Sequence, residues 1–165
     1  MSIKDFSIEF LDNLSLSAFH SPRSRVNFNL HLDYAEPCQR LFNAIGVESY
    51  IPPHRHFQDP TEETLIAVKG LFALIIFDEA GEIKRISKFG TEKFLSQGVA
   101  NIGVELSPEA WHTVLALVEG SILLEVKSGP FIASAAKEMA PWAPAEDSSD
   151  AAYYFGNLKK LVTTK

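Results

Sequence analysis

Between Arg25 and Asp33 the chain alternates without a break. Val26, Phe28, Leu30 and Leu32 are apolar, while Arg25, Asn27, Asn29, His31 and Asp33 are polar. A period of two puts the two sets on opposite faces of a strand. Upstream, Ile8, Leu11, Leu14 and the Leu16–Phe19 region recur at roughly helical spacing and predict a helix over 7–19, ended by Ser21-Pro22. Downstream, Pro37 to Ile45 predicts a short helix that begins with proline and stops at Gly46. From Tyr50 onward the runs are short and rich in Ile, Val, Leu and Phe: Leu65–Val68, Leu71–Phe77, Ile83–Lys88, Val99–Leu106, Trp111–Val118 and Ile122–Val126. Turn residues separate them at Lys69-Gly70, Asp78 to Gly81, Gly98, Ser107-Pro108, Glu119-Gly120 and Ser128 to Pro130. Evenly spaced short strands of this kind predict a sandwich or small barrel. After Pro130 the pattern loosens: Pro141 to Pro144 reads as a rigid extended patch, and Asp147 to Val162 as a closing helix capped by Ser148 or Ser149.

Composition narrows the class. The 165 residues are 46% hydrophobic and 22% charged, enough apolar surface for one globular domain. With a net charge of −6 and no Lys/Arg-rich run, the main attractive term for a phosphate backbone is missing, so no nucleic-acid partner is expected. No apolar stretch approaches the ~20 residues of a membrane span, and the N-terminus lacks a leader-like apolar run, so a cytoplasmic protein without a membrane partner is expected. The single cysteine, Cys38, excludes an intramolecular disulfide and reads as a small buried hydrophobe. Twelve phenylalanines suit a packed interior or a homodimer interface.

One stretch carries chemistry. In YIPPHRHFQDPTEE, residues 50–63, two prolines precede His54 and His56. Pro52 and Pro53 favour extended backbone, and on a strand positions i and i+2 point to one face roughly 6–7 Å apart. Two imidazoles so placed can converge on one ion at about 2.0–2.1 Å. By itself the pair is a weak signal, since two solvated histidines at a strand end would look the same. A carboxylate follows at Glu62 or Glu63, and His112 opens a later strand just behind Ser107-Pro108.

Together these residues resemble the two motifs of the cupin superfamily, which supply His-x-His, Glu and a final His from a double-stranded β-helix. In that family the Glu precedes a turn glycine by seven positions. Counting back from Gly70 selects Glu63, and Pro108 with His112 matches the second motif. The resemblance therefore implies His54, His56, Glu63 and His112 as ligands of one divalent transition metal: Fe, Zn, Mn, Ni or Co. The chain departs from the common pattern in the six-residue FQDPTE loop, in Ala110-Trp111 where a glycine is usual, and in Ala116 where an asparagine is usual. The segments RVNFNLH, QRLFNAI, YIPPHRH, PEAWHTV, EVKSGPF and WAPAE further resemble the WbuC-type cupins, a family associated with surface-polysaccharide gene clusters. The expected fold is mainly β, a cupin jelly-roll barrel with an N-terminal helix, a short helix near 37–45 and a C-terminal helical segment. Residues 1–165 would form one domain, with the barrel core at about 46–130 between an N-terminal extension (1–45) and a C-terminal one (131–165).

Three imidazoles and one carboxylate leave a divalent ion one or two open positions, as a catalytic or ligand-binding site requires. The polar face of 25–33, with Arg25, Asn27 and Asn29, could face the barrel mouth, and Gln39, Arg40 and Glu125 could join it. A solvated edge face is the bland alternative, and for Glu125 with Lys127 a cross-strand ion pair. Trp111 could wall the pocket or belong to the core. His31 and Lys127 are candidates for moving a proton. The leading expectation is a metal-binding cupin acting on a small polar substrate such as a sugar or nucleotide-sugar, isomerase- or epimerase-like. The alternatives are an Fe(II) dioxygenase or oxidase and a non-catalytic metal-dependent sensor. No GxGxxG, P-loop or GxSxG is present.

Overall fold

The computed structural model describes residues 3–58, 60–99 and 101–163. Strands β1 Arg25–Asn29, β2 Cys38–Ile45, β3 His54–Arg55, β4 Glu63–Lys69, β5 Leu71–Phe77, β6 Ile83–Gly90, β7 Gly103–Leu106, β8 Trp111–Ala116, β9 Ser121–Ser128 and β10 Glu138–Met139 run between helices α1 Ile8–His20 and α2 Ala151–Thr163. They form two five-stranded sheets, ordered β1-β2-β9-β4-β7 and β10-β3-β8-β5-β6. The named strand pairs are all antiparallel. Strands that alternate between two facing sheets give the double-stranded β-helix of the cupin fold. Among the described residues no helix is long and apolar enough to cross a membrane.

Three apolar layers follow from the strand alternation. Between the sheets lie Leu65, Phe72, Leu74, Phe89, Val114 and Leu123. Outside the first sheet, α1 buries Leu11, Leu14 and Ala18 against Phe42, Ala44 and Ile122, its N-terminus capped by Ser7 Oγ accepting from the Phe10 amide. Outside the second sheet, α2 lays Phe155, Leu158 and Val162 on Ala73, Ile75, Phe77 and Leu115. Each fully buried side chain of this size contributes about 1.5–3 kcal/mol. Consecutive residues of β5 therefore face different layers, which is why that strand reads as an unbroken apolar run. Gly70, at φ +86°, makes the tight β4–β5 turn; a Cβ there would lie 2.8 Å from Ser121 Cα.

Several sequence expectations give way. Residues 37–45 form no helix: β2 occupies Cys38–Ile45 and pairs with β1 on one side and β9 on the other. Both of its faces are largely covered, by α1 and by the barrel interior, so the apolar positions lose their alternation. The 25–45 stretch, expected as part of an N-terminal extension, thus supplies two strands of the sheet. Cys38 is exposed because it opens β2 at the sheet's end. The β1 ladder stops at Asn29, after which the Leu30 amide still reaches the Arg40 carbonyl. The closing helix starts at Ala151, and the Ser148 hydroxyl is buried without a partner rather than capping it. Tyr153 points to solvent, while Tyr154 and Phe155 pack against Tyr50. Trp142 packs on Phe77 and Trp111.

Candidate metal centre

The two prolines deliver His54 into β3, where it pairs directly opposite His112 on β8 and opposite Met139 on β10. His56 follows just past β3, and its amide donates to the Pro108 carbonyl at 2.8 Å. The proline turn that precedes His112 thereby also fixes His56. Ring centroids lie 4.5 Å apart for His54 and His112, 5.3 Å for His54 and His56, and 5.5 Å for His56 and His112. All three rings are buried, and one nitrogen of each lies within 4.8 Å of the others. Glu63, the first residue of β4, is buried with Oε2 at 3.3 Å from Nε2 of both His56 and His112, whereas Glu62 is exposed.

Hydrogen bonding fixes what these rings offer. His54 Nδ1 lies 3.0 Å from the Pro52 carbonyl, His56 Nδ1 2.6 Å from that of Ala136, and His112 Nδ1 2.8 Å from that of Ala110. A carbonyl oxygen can only accept, so each Nδ1 carries the hydrogen and Nε2 is the atom each ring can present to a metal. Ring orientation by a backbone acceptor is the usual support of a metal-binding imidazole. Burial, with the charges of Lys137 and His112, holds the His54 pKa well below its ordinary value, so that ring is neutral, the ligating form. Burial works against ionisation of Glu63, but the imidazoles of His112 and His56 outweigh it and hold its carboxyl well below the usual range. The three Nδ1-anchored rings and the Glu63 carboxylate therefore converge on one point. This donor set fits a divalent cation.

A cavity of about 560 Å³ opens onto His54, Glu63 and His112 between the two sheets. Arg25, Asn27 and Glu125 line it as the sequence suggested, but Asn29, Gln39, Arg40, Trp111, His31 and Lys127 do not. Gln39 Nε2 instead donates to the Glu36 and Tyr34 carbonyls, and Arg40 pairs with Glu36 on the surface. His31 is buried outside the cavity with Nδ1 against the Arg40 backbone. Trp111 is 4% exposed and faces α2, because one step along a strand from His112 reverses the face. Lys127 is buried, its ammonium 5.6 Å from the Phe131 ring, and forms no ion pair with Glu125. Asn43, Lys137, Arg23 and Glu146 line the cavity unforeseen. Asn43 was legible in principle, since on a strand it shares a face with Leu41 and Ile45; Lys137 sits in an irregular segment that gives no periodic signal.

A family model described as "Domain of unknown function (DUF6016)" matches residues 6–89, just over half of the chain and all of the His54–Glu63 segment. The chain belongs to the DUF6016 family. No curated protein matches this sequence. Among solved structures, protein SO0799 from Shewanella oneidensis is similar to this DUF6016 chain at a TM-score of 0.53, with 9% identity and 83% of each chain covered. A tryptophan-to-tyrosine variant of oxalate decarboxylase from Bacillus subtilis is similar at 0.50, with 18% identity over 84% of this chain; this chain spans 34% of its length. A cupin 2 domain-containing protein from Halorhodospira halophila gives 0.46, with 12% identity over 86% of this chain and 81% of that one. At such identities the likeness concerns the fold.

Beside the histidines, the DUF6016 cavity holds a second carboxyl group. Asn43 Nδ2 donates to Glu125 Oε2 at 2.6 Å. Burial, the Glu63 charge and a hydrogen bond with Glu63 push the Glu125 carboxyl up to about 8. The two carboxyls thus diverge, one held ionised and the other held protonated at neutral pH. At the rim, Arg25 donates to Ser49 Oγ, the Tyr50 carbonyl and Glu146, and Arg23 joins the same carboxylate. Arg25 is therefore occupied in holding the 141–146 segment against β1.

Proposed function

We propose that this DUF6016 protein is a metal-dependent enzyme that moves a proton on a small polar substrate, of isomerase or epimerase type. The observation that carries the metal is the convergence of three buried, Nδ1-anchored imidazoles with the Glu63 carboxylate. A divalent ion held by His54, His56, Glu63 and His112 would polarise a substrate carbonyl or hydroxyl oxygen and acidify the adjacent carbon. Glu125 is the acid–base group that faces the cavity, positioned by the Asn43 amide. His31 and Lys127, favoured by the sequence for that role, lie off the cavity wall. Val26, Leu41, Ile51, Leu65 and Leu123 make the remaining walls apolar. A sugar or nucleotide-sugar as substrate is supported by the resemblance to WbuC-type cupins.

Solvent deuterium exchange tests the reading. Metal-loaded protein in D₂O should place deuterium on the carbon beside the carbonyl of its sugar substrate, and Glu125→Gln should abolish this without reducing metal content. Unchanged sugars across a broad panel would refute the isomerase and leave a sensor. Oxygen uptake after anaerobic Fe(II) loading, with oxidised product, would establish the dioxygenase instead.

A further inference from the structure

One cation of the cavity lining stands apart from the ion pairs around it. Arg23, Arg25 and Lys137 face it from the cationic side, Glu63 and Glu146 from the anionic side. These side chains sum to +1 with Glu125 protonated and to zero with Glu125 ionised, and a divalent ion held by the histidines and Glu63 would add +2. Both arginines are committed to Glu146, at 2.8 and 2.7 Å. Lys137, by contrast, has neither an ion pair nor a side-chain hydrogen bond among the described residues, although its charge acts on both His54 and Glu125.

Its side chain is exposed at the cavity mouth, while its backbone is held in place. The Ala136 carbonyl beside it orients His56, the Ala140 amide donates to the Pro53 carbonyl at 2.9 Å, and β10 pairs Glu138 with Arg55 and Met139 with His54. Residues 136–140 therefore run antiparallel along the histidine segment. Alternation turns Glu138 away from the cavity, into a two-point contact with the Arg55 guanidinium at 3.0 and 2.9 Å. Lys137 and Met139, on either side of it, line the cavity. On the facing sheet, Asn27 lines the same cavity and offers an amide to hydroxyl groups.

We propose that the ligand of this cavity is a small hydroxylated acid, its anionic group paired with Lys137 while another oxygen is directed at the metal centre. The proposal rests on the metal reading above and narrows its substrate class. A carboxylate or phosphate ester would accept a charge-assisted hydrogen bond from Lys137, stronger than the neutral one a sugar hydroxyl offers, and would offset the charge of a bound divalent ion.

The test is calorimetric titration of zinc-loaded protein with D-glucuronate, glucose 6-phosphate and neutral D-glucose. At least one of the two acids should bind about tenfold tighter than glucose, and whichever binds identifies the anionic group. Lys137→Met should abolish that preference, Lys137→Arg should keep it, and all three proteins should hold equal zinc. Equal binding of acids and glucose, including none at all, would overturn the proposal, as would a preference that survives in Lys137→Met. Zinc content of the same samples separates the two readings. Wild-type protein that takes up no zinc refutes the metal centre, while the metal-free titration still reads the acid preference of Lys137.

Discussion

Trp111 and His112 are neighbours on β8 with opposite surroundings, so substituting them should have separable effects. In Trp111→Phe most of the buried apolar surface against Phe77 and Leu115 is kept. Two contacts are lost: the indole Nε1 hydrogen bond to Glu79 at 3.0 Å and the Arg55 guanidinium 4.2 Å over the ring. The Glu79 side chain is 77% exposed, which places that bond at the weak end, about 0.5–1 kcal/mol. The cation–π contact contributes about 0.5–1 kcal/mol. The expected destabilisation is about 1–2 kcal/mol, or a Tm lower by about 2–8 °C for a chain of this size. Trp111→Ala, which also opens a cavity, should cost about 3–5 kcal/mol. Thermal melts of metal-free protein measure both, and titration with Zn²⁺ or Co²⁺ measures the centre. Metal affinity should stay within about twofold in Trp111→Phe, since the change lies on the face away from the histidines. Unchanged Tm with a tenfold loss of metal affinity would refute the assignment of Trp111 to the core beneath α2.

Acid and base titrations probe the two perturbed carboxyls in metal-free protein. Glu125 rises from an ordinary value of 4.5 to about 8, so its contribution to stability is full below pH 4.5 and is lost as pH rises through 8. Glu125→Gln should remove about 2–4 kcal/mol of that decline in urea unfolding across the window, and an unchanged profile would place the carboxyl in water. For Glu146 burial opposes ionisation, but Arg23 and Arg25 outweigh it and bring the pKa to about 2. Its contribution is present above pH 4.5 and lost as pH falls toward 2. With the side chain partly solvated it is worth about 1 kcal/mol, and Glu146→Gln should flatten the acid limb by that amount.

The barrel was readable because turn residues and short β-branched runs mark strands wherever one face is solvated or a strand is bounded by glycine. Leu71–Phe77 was recovered residue for residue on that basis. Reading failed at 37–45, where Phe42 and Ala44 pack under α1 while Gln39, Leu41 and Ile45 face inward, so neither a period of two nor one of 3.6 stands out. Missing that strand also hid Asn43, and with it the partner of Glu125. The histidines were legible because Pro52-Pro53 dictates extended backbone and the i, i+2 spacing then decides the face. Lys137 and β10 were not, because a two-residue strand held by long-range pairing to β3 leaves no local pattern. Trp111 was ambiguous for a different reason: adjacency in sequence to His112 says nothing about sidedness until the strand register is known.

The central claim is that His54, His56, Glu63 and His112 hold one divalent ion, and metal stoichiometry tests it most directly. Elemental analysis of wild-type protein after anaerobic metal loading and desalting should give about one ion per chain. Replacing His54, His56 or His112 with alanine should each reduce this to below about a tenth, in protein that still melts cooperatively. Full retention of metal by all three variants, or none in the wild type, would contradict the account.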